Sequence, residues 1–169
     1  MKQFTLLLAI CMMALSCKAQ DTINTTTIKS LDVERYMGRW YELARFDHSF
    51  ERDMEYCQAQ YTLLSNGKIR VENSGVNAKN GKHKVSVGKA KMGDAPGQLR
   101  VSFFLFFYSD YNILALDDNY QWALVGSKSP KYLWILSRTP KLPQSTMDEI
   151  LNIARQRGYD TSKLIVVKQ

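Results

Sequence analysis

The chain has 169 residues, of which 45% are hydrophobic and 23% are charged, and these proportions are typical of one globular domain rather than a disordered chain. The formal net charge of +7 would suit nucleic acid, an anionic membrane or an anionic ligand. The basic residues are scattered, however, and the sequence contains no Lys/Arg-striped helix, zinc motif or RNA-binding signature, which argues against nucleic acid.

The first sixteen residues have the pattern of a signal peptide. Lys2 gives a positive start to an apolar run, FTLLLAICMMAL, that is too short to span a bilayer comfortably. The run ends in ALSC, which resembles the lipobox of bacterial lipoproteins, although Ala14 stands where Leu is usual. In such lipoproteins the cysteine, here Cys17, is acylated, for example with palmitate, and becomes the mature N-terminus. The alternative is an ordinary secretory signal peptide followed by an incidental cysteine.

A polar, Thr-rich segment follows, and its composition predicts a tether between the lipid and the folded domain. We therefore assign residues 1–16 to the signal peptide, 17–35 to the acylated cysteine and tether, and 36–169 to the domain. Cys11 would leave with the signal peptide and Cys57 would be unpaired, so we predict no disulfide framework.

From Trp40 onward almost every segment is typical of a β-strand. Asn66-Gly67 and Asn80-Gly81 are hairpin signals, and GDAPG at 93–97 is a further break. Because no helix lies between these strands, parallel crossovers are excluded, and an antiparallel up-and-down β-barrel is predicted. The eight predicted strands cover residues 39–46, 56–64, 68–76, 83–92, 98–106, 112–117, 121–127 and 132–138.

After the strands, the hydrophobic period changes to that of a helix, which should end near Gly158. The apolar residues of the predicted helical face are Met147, Ile150, Leu151 and Ala154. LIVV, at 164–167, predicts a short final strand. The predicted fold class is therefore all-β, an eight-stranded antiparallel barrel with a C-terminal α-helix and a last short strand.

Three motifs occur in a specific order around the predicted strands. Gly38-Arg39-Trp40 enters the first strand, Asp110-Tyr111 opens the sixth, and Arg138 ends the eighth. With the phrases RYMGRWYELARFDHSFER, YNILALD and YLWILSRTP, this order resembles the lipocalin family over residues 31–169. Within that family the chain is most similar to the bacterial outer-membrane lipoprotein lipocalins, and more distantly to apolipoprotein D.

The resemblance implies a barrel that is closed at one end, open at the other, and apolar inside. It implies that Trp40 plugs the closed end and that Arg138 packs across the indole ring, with Gly38 at the entrance to the strand. A cation over an indole face contributes about 0.5–2 kcal/mol, so these three residues are expected to be structural.

Ligand-binding positions follow from the apolipoprotein D pattern and from strand alternation. Those that the resemblance implies are Tyr61, Asn73 and Trp134. Those that strict alternation adds are Ala44, Phe46, Val71, Tyr132 and Leu136. Such a set is typical of a small-molecule site, and the alternative is that the same side chains simply fill the barrel. We predict neither a metal site nor a cofactor.

The stretch VSFFLFFY, at 101–108, is apolar on both faces, whereas a half-buried strand alternates. Odd-numbered strands, such as the predicted fifth, run toward the open mouth. The last three residues of this stretch are therefore expected at the mouth, with one face of Phe103–Leu105 lining the cavity. The patch is a place for lipid to enter, or for contact with a membrane or a partner. The residues expected to form a basic rim are Arg52, Lys79, Lys82, Lys128 and Lys131, unless these loops are basic only because they are solvated.

The preferred interpretation is a carrier or store of fatty acids, phospholipids or lysophospholipids in the bacterial envelope. Each buried methylene contributes about 0.8 kcal/mol, so a long chain binds without many polar contacts. The acylated cysteine would anchor the protein to the periplasmic side of the outer membrane, because Lys18 rather than an acidic residue follows it.

Two other functions stay open. A filled barrel could bind a protein, including a second copy of itself, through the Phe-rich strand, or the cavity could hold a tetrapyrrole. We do not expect an enzyme, because His48 and His83 belong to no legible catalytic arrangement. Cys57, if it faces the cavity, is expected to be a small buried hydrophobe, and Glu42 to make a structural hydrogen bond.

Overall fold

The computed structural model describes residues 22–169, so the predicted signal peptide and Cys17 lie outside the described residues. The strands are β1 (Gly38–Arg45), β2 (Met54–Leu63), β3 (Ile69–Asn77), β4 (His83–Met92), β5 (Gln98–Phe104), β6 (Phe107–Leu116), β7 (Trp122–Gly126), β8 (Leu133–Ser137) and β9 (Ile165–Val166). The helices are α1 (Val33–Tyr36), α2 (Gln144–Gln156) and a 3₁₀ helix, Thr161–Lys163. Within the described part of the chain, no helix is long and apolar enough to cross a membrane.

Strands β1 to β8 form the closed antiparallel barrel that the sequence predicts. Consecutive strands pair from β2 through β8, and β1 closes the circle by pairing with both β8 and β2. The β1–β2, β3–β4, β5–β6 and β7–β8 connections lie at one end of the barrel, which we call the mouth. The other connections and α1 lie at the opposite, closed end.

Apolar side chains form two separate cores, one inside the barrel and one outside it. The inner core consists of Tyr36, Trp40, Ala59, Tyr61, Ile69, Val71, Ala90, Leu99, Ile113, Ala123, Val125 and Leu136. The outer core consists of Leu43, Ala44, Phe46, Leu114, Trp122, Leu124, Leu133, Ile135, Ile150, Ala154 and Tyr159. Because α2 covers the outer core, this wall of the barrel is buried on both faces, and β7 is buried along its whole length.

A β-bulge in β1 reverses the alternation of side chains partway along the strand. Glu42 lies opposite Leu136 but Ala44 lies opposite Ile135, so the strand carries one extra residue. Ala44 and Phe46 therefore face α2 in the outer core, and Arg45 takes the inward position. The prediction that Ala44 and Phe46 line the cavity is wrong, because it assumed unbroken alternation.

The start of the described chain is attached to the barrel wall. The Asn24 amide donates to the Arg157 carbonyl at 2.8 Å, and the Ile28 amide donates to the Ile113 carbonyl at 3.1 Å. The Arg157 guanidinium also donates to the Thr26 carbonyl at 2.7 Å. The prediction of a tether through residue 35 therefore does not hold for residues 22–35, which pack on the barrel.

The stretch VSFFLFFY is the tip of a hairpin and not a single strand. Strand β5 ends at Phe104 and β6 begins at Phe107, so the predicted end of the fifth strand and start of the sixth are both displaced. Leu105 turns the chain with a φ of 49°, a left-handed conformation that is uncommon for leucine. Phe103 leans against Gly88, where a Cβ atom would lie 2.7 Å from the Phe103 ring.

Candidate functional site

The closed end of the barrel is plugged by Trp40, which has no exposed surface. The Arg138 guanidinium carbon lies 3.8 Å from the centre of the indole, and the indole N–H donates to the Tyr36 carbonyl at 2.8 Å. Gly38 has a φ of 93°, and a Cβ atom there would approach Arg138 Nη1 to 3.3 Å. The structure therefore places the three predicted residues together at the base, where Arg138 packs across Trp40.

Three tyrosines lie above the plug and join their hydroxyls inside the barrel. The Tyr111 hydroxyl is 2.7 Å from that of Tyr36 and 3.1 Å from that of Tyr61. Burial raises the pKa of all three phenols, that of Tyr61 to about 12, so the cluster is neutral at physiological pH. Tyr111 was not predicted as a lining residue, although its pairing with the inward Leu99 fixes its direction.

The middle of the barrel is lined by small and apolar side chains. Val71 and Leu136 belong to the inner core, as predicted. Asn73 lies opposite Ala59 on one side and Ser86 on the other, so all three share the inner face. Among the described residues, Asn73 Oδ1 is buried and has no hydrogen-bond partner. A buried acceptor in this state is suited to a donor on a ligand.

A buried charged cluster lies near the mouth, around Arg45. Its Nη1 donates to Glu42 Oε1 at 2.7 Å, and its Nη2 donates to the Glu51 carbonyl at 2.6 Å. The side chain of Glu51 is 3.9 Å from Arg45 Nε. The pKa of Glu42 is raised to about 8, mainly by burial and secondly by the charge of Glu51. Two carboxyl groups thus share one guanidinium, and burial favours the protonated form of Glu42.

The raised pKa of Glu42 makes the stability of the barrel depend on pH. The ordinary glutamate pKa is 4.5, so between about 4.5 and 8 the folded state keeps a proton that the unfolded state releases. The free energy of unfolding should therefore fall as pH rises through this window. In Glu42→Gln, which cannot ionise, we expect this fall to be smaller by roughly 5 kcal/mol, because each pH unit between the two pKa values contributes about 1.4 kcal/mol. Urea unfolding at several pH values measures it.

The exposed Glu149→Gln on α2 is the matched control, because it removes the same charge from a side chain outside the barrel. Parallel stability profiles for the parent protein and Glu42→Gln would show that Glu42 ionises normally in the fold.

Aromatic side chains occupy the mouth beside this cluster. The Trp134 indole donates to Glu51 Oε2 at 3.1 Å and stacks on Tyr132 with ring centres 5.9 Å apart. The His48 ring packs against both, with its centre 5.1 Å from that of Trp134 and 4.8 Å from that of Tyr132. Trp134 therefore reaches from the inner wall to the mouth. Tyr132, together with Ile23, lines a cleft of about 780 Å³ on the outer side of the barrel.

The predicted basic rim is partly neutralised by carboxylates. Lys79 Nζ lies 2.6 Å from Asp53 Oδ2, and Arg52 pairs with Asp47. Lys128 is 3.9 Å from Asp110, which is a longer and weaker contact. Among the described residues, Lys82 and Lys131 are in no ion pair. Lys84, which was not predicted, donates to the Phe50 carbonyl at 3.4 Å and brings a further cation to the mouth.

Cys57 faces the interior of the barrel and is almost fully buried. Its sulfur lies 3.9 Å from Arg45 Nη1 and 3.8 Å from the Glu55 carbonyl. The pKa of the thiol is raised to about 12, mainly by burial and secondly by the charge of Glu42. The thiolate, which is the nucleophilic form, is therefore scarce at neutral pH.

Comparisons with known proteins agree with this architecture. A family model described as a lipocalin-like domain matches residues 31–169. Outer membrane lipoprotein Blc of Escherichia coli (strain K12) is 46% identical over 148 residues, covering 86% of this chain and 84% of its own. Apolipoprotein D of Mus musculus is 36% identical over 152 residues, covering 83% and 78%. Insecticyanin from the tobacco hornworm Manduca sexta has the same fold, with a TM-score of 0.72 at 20% identity, covering 86% and 85%.

Proposed function

This chain belongs to the lipocalin family, and from that premise we propose that it binds one acyl lipid inside its barrel. The lipid class is a fatty acid, a lysophospholipid or a phospholipid, which the protein carries or stores in the bacterial envelope. The observation that carries the proposal is the graded lining of the barrel. Its base is plugged and its lower wall is apolar apart from three tyrosine hydroxyls, whereas Asn73 in the middle has a buried acceptor without a partner and Arg45 near the mouth provides a cation.

The lining suggests how the lipid lies. The acyl chain would extend toward Tyr61 between the walls that contain Val71 and Leu136, because these side chains offer apolar surface. Each methylene taken from water contributes about 0.8 kcal/mol. The polar head would stay near Asn73 and Lys84, where donors and acceptors reach the mouth. The lower barrel thus supplies affinity and the mouth selects the head group.

The names of the relatives support a location in the outer membrane. The similar proteins of Escherichia coli and Vibrio cholerae are called outer membrane lipoproteins. We propose that Cys17, in ALSC, is acylated and anchors this chain to the periplasmic side of that membrane. The anchor would keep the carrier beside the lipids that it collects or delivers.

Binding rather than catalysis fits the chemistry of the interior. The Cys57 thiol, with its pKa raised to about 12, is a poor nucleophile. Glu42 is held by Arg45 and serves the structural hydrogen bond that its inward position suggested. The interior thus offers contacts to a ligand without an activated group to transform it.

Titration with a fluorescent fatty acid tests the proposed function. We expect saturable binding of one molecule per chain, with a dissociation constant of about 1 μM or below, because ten buried methylenes contribute about 8 kcal/mol. Competition by lysophospholipid should displace the probe from the same site. Failure of both lipids to bind would favour a barrel filled by its own side chains.

A further inference from the structure

The tip of the β5–β6 hairpin exposes an unbroken run of large apolar side chains. Every residue from Phe103 to Phe107 is exposed, from 45% at Phe103 to 80% at Phe106. The rings of Phe104 and Phe107 stack with centres 6.4 Å apart, so the two side chains form one aromatic surface. Exposed apolar residues are ordinarily scattered, and a contiguous cluster marks a surface that is covered by something else.

The same end of the barrel carries a further exposed aromatic side chain and two lysines. Phe50, on the β1–β2 connection, is 54% exposed. Lys82 and Lys131 come from two further mouth connections, and neither is in an ion pair with the described residues. Aromatic groups flanked by cations are the combination that binds the surface of a bilayer with anionic lipids.

The described chain also begins at this end of the barrel. The Thr22 carbonyl lies 3.5 Å from the point where Gly158 would carry a Cβ atom. Ile23 lines the outer cleft together with Phe50 and Tyr132, which belong to mouth connections. The chain then runs along the wall to Ile28, which contacts Gly97 at the closed end. Thr22 therefore lies on the mouth side.

Cys17 precedes Thr22 by five positions. Five extended residues reach at most about 18 Å, so an anchor at Cys17 would leave the barrel near the mouth and not near the base. The aromatic tip, the two lysines and Thr22 thus lie at one end of the described residues.

We infer that this end docks on a lipid bilayer, with Phe104, Phe106 and Phe107 inserted among the acyl chains and the mouth of the barrel turned toward the membrane. The orientation of the anchor rests on the proposed function, whereas the insertion of the tip rests on its own exposure. In this orientation an acyl lipid passes between bilayer and barrel without crossing water. A second copy of the chain could cover the tip, but this would not explain why the two lysines, and Thr22 five positions after Cys17, lie at the same end.

Fluorescence quenching in vesicles tests the inference. The full chain is reconstituted into vesicles of phosphatidylethanolamine and phosphatidylglycerol with brominated acyl chains. Phe106→Trp places an indole at the tip, and Leu64→Trp places one at an exposed position in the β2–β3 turn, at the closed end. We expect the added emission of Phe106→Trp to be quenched at least twofold and that of Leu64→Trp to be unchanged. Equal quenching at both positions would overturn the inference.

A second variant separates docking from lipid binding. In Phe104→Ser/Phe106→Ser/Phe107→Ser we expect at least a tenfold slower uptake of fluorescent fatty acid from vesicles, with unchanged equilibrium affinity in vesicle-free solution. Leu63→Ser/Leu64→Ser at the closed end is the control, and it should change neither value. If the unaltered chain does not bind fatty acid at equilibrium, the result counts against the carrier function and not against docking.

Unchanged uptake from vesicles by the triple variant would overturn membrane docking while leaving the carrier function intact. A dimer in solution that the triple variant converts to monomer, combined with no quenching of Phe106→Trp, would assign the tip to a second copy and also overturn the inference. Sedimentation velocity of the same samples measures the oligomeric state.

Discussion

Trp40→Ala is expected to lower the free energy of unfolding by about 3–5 kcal/mol, the range for removing a fully buried aromatic side chain. The indole has no exposed surface and is held between the Arg138 guanidinium and the Tyr36 carbonyl. Its loss leaves a cavity at the base and removes the partner of a cation. Urea unfolding followed by circular dichroism measures the change.

An exposed aromatic residue provides the matched control for this truncation. Phe106→Ala removes a ring that is 80% exposed at the mouth, so the free energy of unfolding should change by less than about 0.5 kcal/mol. A loss below about 1 kcal/mol in Trp40→Ala would show that the plug does not hold the barrel together.

Ser86→Trp is expected to weaken fatty-acid binding about 100-fold while leaving the barrel folded. Ser86 lies on the inner face of β4, opposite Asn73, at a level where the neighbouring side chains are small. An indole there would narrow the passage below the head group and keep about four methylenes of the acyl chain out of the lower barrel, worth about 3 kcal/mol of binding free energy. Titration with fluorescent fatty acid gives the dissociation constants.

The adjacent residue supplies the control for the same substitution. Val87 follows Ser86 on β4 but points outward, and it is 51% exposed. Val87→Trp should bind lipid as the parent protein does. Equal affinity in the two variants, both folded by circular dichroism, would place the lipid outside the barrel.

The barrel could be predicted from sequence because its signals are local. Several hairpin turns have their own residues, such as Asn66-Gly67, and strands such as β2 and β3 have apolar side chains at alternate positions. The inward positions of Tyr61, Val71 and Leu136 also follow from alternation, because no irregularity separates them from their neighbours. The orientation of side chains is predictable for as long as a strand stays regular.

The bulge in β1 could not be predicted, because tertiary contacts decide it. Strand β9 pairs with Ala44 and Arg45 along the part of β1 that follows the bulge, and α2 covers the outer side of that part. Neither contact is visible in the local sequence, ELARF. As a result, alternation selected Ala44 and Phe46 and missed Arg45, the charged residue that organises the mouth.

Two other differences arise where composition is misleading. The turn at Leu105 contains no glycine, proline or asparagine, so the apolar tip resembled a strand with two buried faces. Residues 22–35 are polar enough to resemble a tether, but Ile23 packs beside the outer core and Ile28 beside the inner one. A few apolar anchors, with backbone hydrogen bonds, fix such a segment to the wall.

Native mass spectrometry of residues 18–169 purified from bacteria, followed by lipid extraction, tests most directly whether the barrel interior holds a lipid. We expect a mass increase equal to one acyl lipid per chain, and its loss in Ser86→Trp but not in Val87→Trp. A chain that carries no lipid, and that takes up neither added fatty acid nor lysophospholipid, would contradict the lipid-binding interior and indicate a barrel filled by its own side chains.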